Sequence, residues 1–165
     1  MSFTLRPAVA ADTPVILRCI RALAEYERLA DQVVATEEMI GETLFAVRPA
    51  AEVVLAFDGE EPAGFALFFH TYSTFLARPG LYLEDLFVFP RFRGRGLGKR
   101  LLAHLARIAI DRRCGRFEWA VLDWNVDAIR VYEGVGAKPV SDWIVYRLTG
   151  EALARLADGA RAADD

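Results

Sequence analysis

At 165 residues the chain fits one domain, large enough to bury a core without disulfide or metal staples. Its content of 54% hydrophobic and 26% charged residues is that of a soluble globular protein, no apolar run reaches a membrane span, and the first residues lack a signal-peptide pattern. The net charge of -3 argues against a general nucleic-acid binder.

The elements are predicted in chain order as follows. Phe3 to Arg6 reads as a strand, and Asp12 with Pro14 opens a helix to about Arg28. Ile16, Ile20 and Leu23 form its buried stripe, and Glu27 continues that stripe, an unusual place for a carboxylate. Thr36 caps a second helix that carries Glu37 and Glu38 in its first turn and ends near Phe45. Ala51 to Phe57 and Ala63 to Thr71 are strands joined at Asp58-Gly59, and a loop with Pro79-Gly80 leads to a strand over Leu81 to Phe89. A long helix runs from Gly96 to about Arg113, with Leu97, Leu101, Leu105 and Ile108 on one face and Gly115 ending it. Phe117 to Leu122 is a strand, Val126 to Val135 a helix closed by Gly136, and Asp142 to Leu148 a last strand. A short helix from Glu151 completes a single domain over 1–158, with a charged tail over 159–165. Hairpin strands followed by strand–helix–strand crossovers predict an α/β (α+β) fold, one mixed sheet with helices packed on it.

Charge is unevenly spread. Residues 1–90 carry 6 basic and 13 acidic side chains, residues 91–165 carry 14 and 10, and nine of the basic residues fall between Arg91 and Arg116. An acidic half joined to a basic half suits one cationic and one anionic ligand. Cys19 and Cys114 have no CxxC partner and no clustered histidines, so neither a metal site nor a disulfide is expected, and the expected compartment is the reducing cytoplasm.

Gly94, Gly96 and Gly98 alternate between an apolar strand and an amphipathic helix. Glycine there permits positive φ and close approach of a ligand, and the helix start offers unpaired N–H groups to an anion. Arg93, Arg95, Lys99 and Arg100 are expected to add mobile positive charge. A Walker A loop requires glycine at 93 and Ser or Thr after the lysine, where Arg93 and Arg100 stand; a dinucleotide fingerprint requires glycine at 99, where Lys99 stands.

The segment Val88-Phe89-Pro90-Arg91-Phe92-Arg93-Gly94-Arg95-Gly96-Leu97-Gly98 resembles the acetyl-CoA signature of the GNAT superfamily. Tyr82-Leu83-Glu84-Asp85-Leu86-Phe87-Val88, Leu122-Asp123-Trp124-Asn125, Tyr132 with Gly136-Ala137, Arg6-Pro7-Ala8 and Leu23-Ala24-Glu25-Tyr26-Glu27 are similar to its spermidine/spermine N-acetyltransferase branch. Tyr72-Ser73-Thr74 and Val121 to Asn125 look closer to the thialysine N-epsilon-acetyltransferase subgroup, since the polyamine enzymes carry aspartate at the position of Ser73. The resemblance implies a GNAT fold with a mostly antiparallel sheet of about six to seven strands and helices on both faces. It implies that amides from Gly94 to Lys99, with Arg93, Arg95 and Leu97, hold the pyrophosphate of acetyl-CoA, and that Leu86, Phe87 and Val88 pair with pantetheine. Asn125 and Ala128 would lie along the pantetheine arm and Tyr132 beside the coenzyme sulfur. Tyr26, Glu27, Ser73, Glu84, Asp123 and Trp124 would line the acceptor site. A homodimer acting on a small-molecule amine is implied as well.

The chemistry of acetyl transfer suits these residue types. The amine must lose a proton before attack, and the leaving thiolate must gain one. The resemblance implies that Glu84 is the water-relayed base and Tyr132 the general acid, with Asp85 a supporting carboxylate on the opposite face of the strand; from the residues alone, a strand-edge salt bridge and a core tyrosine stay open. A catalytically silent acyl-CoA-binding protein is the alternative, and a nucleic-acid module over Arg91 to Arg116 a third.

Overall fold

The computed structural model describes residues 3–161. The chain divides into two compact units, up to Trp124 and from Asn125 onward. The first holds the whole sheet, in the order β1 (Thr4–Pro7), β2 (Glu52–Asp58), β3 (Glu61–Ser73), β4 (Arg78–Val88) and β5 (Phe117–Trp119). Successive pairs are antiparallel except β4 with β5, which is parallel. The mixed sheet is as expected, with five strands rather than six to seven.

Local chemistry explains the elements. α1 (Thr13–Tyr26) starts at Asp12 with Pro14 in its first turn, where a missing N–H costs nothing. The Thr36 side chain accepts from the Met39 amide and caps α2 (Glu37–Leu44). Asp12 is a structural carboxylate: Arg6 donates to both its oxygens, at 2.7 and 2.8 Å, and holds its carboxyl below the usual range.

Both faces of the sheet are covered. Ile16, Leu17 and Leu23 of α1 and Ile40 of α2 pack with Val53, Leu55, Phe65 and Phe87. On β4 the neighbour Leu86 points the other way, toward Gly98 in α3 (Leu97–Asp111). Leu97, Leu101 and Leu105 of that helix are fully buried.

Several boundaries differ from expectation. Pro79 and Gly80 lie inside β4, paired with Tyr72 and Thr71, and the hairpin turn falls earlier. Gly80 is needed because β3 and the chain entering β5 both close on it: a Cβ there would meet Thr71 Oγ1 and the Arg116 side chain. The left-handed residue closing α3 is Arg113, at φ 58°, rather than Gly115. Cys114 N–H donating to Ala109 C=O at 2.8 Å holds that turn.

β5 ends at Trp119, short of Leu122, and no strand is assigned over Asp142 to Leu148. Residue type alone does not make a strand; a ladder partner must meet it in register. The second unit contains α4 (Val126–Gly134) and α5 (Gly150–Arg161). Gly136, at φ 88°, closes α4 as expected. Of the tail expected over 159–165, residues 159–161 continue α5 and the rest lies outside the described residues. No helix among the described residues is long and apolar enough to cross a membrane.

Candidate active site

The glycine-rich turn follows β4 directly. Gly94 and Gly96 have φ of 74° and 78°, so both use the conformational freedom that glycine alone has without strain. Gly96 is the N-cap of α3 and supplies no side-chain acceptor, which leaves the first-turn amides uncapped at the positive end of the helix. Gly98 has ordinary φ; an added Cβ would only touch Leu86.

Two of the arginines expected to be mobile are tied down. Arg93 Nε donates to Val88 C=O at 2.9 Å, and its guanidinium lies 4.6 Å from the Tyr26 ring centroid and 5.4 Å from that of Phe87. Arg95 pairs with Asp58 at 2.8 Å and stacks 4.5 Å over Phe3. Arg91 pairs with Glu61. Carbonyls at a strand end, carboxylates and aromatic rings all attract guanidinium groups, which is why these side chains are held. Lys99 and Arg100, exposed in the first turn of α3, make no ion pair among the described residues.

β4 pairs with β5 only over Leu81 to Leu83. Past that point, the edge of β4 from Glu84 to Val88 faces no strand among the described residues. An open edge of this kind accepts an extended amide-bearing chain as an added strand.

Glu84 is the extra residue of a β-bulge, because Leu67 pairs with Asp85 and Phe68 with Leu83. The bulge breaks the alternation on which the expectation that Glu84 and Asp85 sit on opposite faces rests. Leu83 shares a face with Phe68 and Asp85 with Leu67, and burial first, then the Glu84 charge, raises the pKa of both Asp85 and Tyr82.

Asp85 is half-buried, and burial first, then Glu84 and Glu27, push its carboxyl up to about 6. Burial also raises Glu27, at the end of α1. Three carboxylates therefore share one electrostatic neighbourhood. Beside them, the Tyr26 ring lies 6.5 Å from Phe87 and 6.0 Å from Trp124. Tyr26, Glu27, Glu84, Phe87, Arg93 and Trp124 thus gather at the C-terminal ends of α1 and β4. Asp123 is exposed in the turn before Trp124.

Ser73 is not part of this group. It is buried at the far end of the hairpin, opposite Arg78, where its Oγ accepts from the Leu76 amide at 3.3 Å. Strand rise places it roughly 20 Å along the ladder from Glu84. In the second unit, Asn125 Oδ1 accepts from the Ala128 amide at 3.3 Å and caps α4. Tyr132 lies on the same face seven residues on, about two helical turns away. Its carbonyl accepts from Val135 and Ala137, at 3.2 and 3.1 Å.

The raised Asp85 has a stability consequence. A carboxyl raised above its unfolded value contributes stability fully below about pH 3.8, and that contribution is lost as pH rises through about 6. Above that pH, ionisation costs roughly 2–3 kcal/mol. Asp85→Asn is therefore expected to raise the Tm by several degrees at pH 7.5 and to change it little at pH 4. Thermal melts at the two pH values check this.

A glycine-bearing turn onto an uncapped helix, following an open strand edge, suits a ligand that joins an anionic group to an extended amide-bearing chain. Residues 18–137 match the acetyltransferase (GNAT) family, and the chain belongs to it; it is an N-acetyltransferase. It is similar to the thialysine N-epsilon-acetyltransferase of Sus scrofa, at 39% identity over 94% of this chain and 98% of that protein. It is also similar to the L-ornithine N5-acetyltransferase of Arabidopsis thaliana, at 34% identity over 90% of this chain and 85% of that one. Among solved structures, an integron cassette protein from the mobile metagenome of V. cholerae superposes with a TM-score of 0.80, at 27% identity, covering 95% of this chain and 98% of that one.

The sequence reading passed over Arg28, which stacks on Trp124. Its only sequence signal was its place directly after Tyr26 and Glu27.

Proposed function

We propose that the chain transfers the acetyl group of acetyl-CoA to the primary amine of a small cationic acceptor, lysine-like, thialysine-like or a diamine. The observation that carries this reading is the continuity of the open β4 edge with the uncapped start of α3, beside a carboxylate group. The names of the two relatives, one a thialysine and one an ornithine enzyme, support the acceptor class.

The donor set fits acetyl-CoA. The amides from Gly94 to Lys99, with Lys99 and Arg100 nearby, suit a pyrophosphate, and Leu86, Phe87 and Val88 suit the amides of pantetheine. The bound coenzyme supplies the activated acetyl thioester. Asn125 and Ala128 flank the pantetheine arm in this reading. Glu84 takes the ammonium proton through a water and so frees the lone pair for direct attack in a ternary complex; Tyr132 protonates the departing thiolate. Tyr26, Glu27, Asp123 and Trp124 hold the acceptor.

In the same reading the chain is a single cytoplasmic acetyltransferase domain over 1–158 that works as a homodimer. Ser73, remote from Glu84 within one chain, reaches an acceptor only in such an assembly. The test is an acetyl-CoA-dependent screen of thialysine, lysine, ornithine, putrescine, spermidine and an N-terminal peptide. Acetylation of the first four classes of small amine supports the reading. Coenzyme binding with no acetylated amine turns it toward a catalytically silent acyl-CoA-binding protein.

A further inference from the structure

Arg28 follows the last turn of α1 in a left-handed conformation, at φ 62°. A side-chain-bearing residue is strained there, and glycine is the usual occupant. The strain is held by Leu29 N–H donating to Ala24 C=O at 2.8 Å and Arg28 N–H donating to Glu25 C=O at 3.2 Å. The turn carries the guanidinium over the Trp124 ring, 5.7 Å from its centroid. Trp124 in turn lies against Tyr26. No carboxylate among the described residues is within ion-pair distance of Arg28.

The acceptor wall therefore holds charges of both signs. Glu84 and Glu27 are both close enough to Asp85 to add to the rise that its burial causes. Arg28 is the cation at its aromatic end. A diamine presents only ammonium groups, and Arg28 would repel one of them. A free amino acid with a side-chain amine presents two ammonium groups and one carboxylate, so it offers a partner both to the carboxylates and to Arg28. A guanidinium that rests over an indole ring and makes no ion pair can offer its N–H edge, the geometry that a carboxylate binds bidentately.

We propose that Arg28 is a specificity-determining residue that binds the carboxylate of an amino-acid acceptor, so that the enzyme acetylates the side-chain amine of a free amino acid in preference to the diamine of equal length. This rests on the acetyl-transfer reading above and narrows its acceptor class.

The test uses matched amines that differ only in the carboxylate: lysine against cadaverine, and ornithine against putrescine. The wild type is expected to favour the amino acid of each pair in kcat/KM by about tenfold or more, the worth of one charge-assisted contact. Arg28→Gly suits the left-handed backbone and so preserves the fold. It is expected to collapse the ratio of lysine to cadaverine toward one, chiefly through KM for lysine, while Arg28→Lys restores part of it. Equal use of both amines by the wild type, or equal losses for both in Arg28→Gly, would overturn the role of Arg28 and leave acetyl transfer standing. Coenzyme binding with none of the four amines acetylated would overturn the acetyl-transfer reading and this proposal with it.

Discussion

Tyr132→Phe is expected to lower kcat by about a hundredfold or more, the usual scale for losing a positioned general acid, with little change in acetyl-CoA affinity. The bonds that close α4 run to the Tyr132 carbonyl, from Val135 and Ala137, and removing the phenol leaves them in place. A phenol gives up its proton near the pH range in which a thiolate leaves, so its loss falls on departure of the leaving group rather than on binding. Steady-state rates with calorimetric titration of acetyl-CoA separate the two. Near-normal kcat from pH 6 to 9 would remove Tyr132 from the chemistry.

Glu84→Gln is expected to lower kcat/KM by about a hundredfold near neutral pH. The loss should be greatest at low pH, where amine deprotonation is hardest, and should shrink as pH rises. The bulge makes this variant informative, because Glu84 and Asp85 interact electrostatically. Removing the Glu84 charge relieves Asp85, so the Asp85 pKa must fall from about 6. If Asp85 were the base instead, Glu84→Gln would keep most of its rate and show an acid limb moved to lower pH. A pH–rate profile distinguishes a lost rate from a displaced limb.

Much of this arrangement was legible in the sequence because local chemistry dictates it. Gly94 and Gly96 sit where the backbone must turn left-handed before a helix, and Thr36 stands where α2 needs a cap. The five strands that formed are those with hairpin turns or a crossover helix to bring them into register. What the sequence concealed depends on partners far along the chain. The bulge at Glu84 exists only relative to β3, so alternation counted along β4 alone does not place Glu84 against Asp85.

Arg93 and Arg95 look like mobile charges in a basic run, yet Val88, Tyr26 and Asp58 hold them. Asp142 to Leu148 has the residues of a strand and no assigned ladder. Ser73 carries a hydroxyl that suits a ligand, but its hairpin turn uses it. Arg28 gave no signal beyond its place after Tyr26 and Glu27, since its left-handed turn and its seat over Trp124 are tertiary facts.

The central claim is that the turn into α3 seats acetyl-CoA, and calorimetric titration of the coenzyme into the wild type and Gly96→Ala tests it most directly. Alanine at φ 78° is strained and must tilt the first-turn amides. The expected result is saturable binding to the wild type and affinity weakened about tenfold or more, about 1.4 kcal/mol, in a variant that still melts cooperatively. Absence of acetyl-CoA binding by the wild type, or equal affinity in the folded variant, would contradict it.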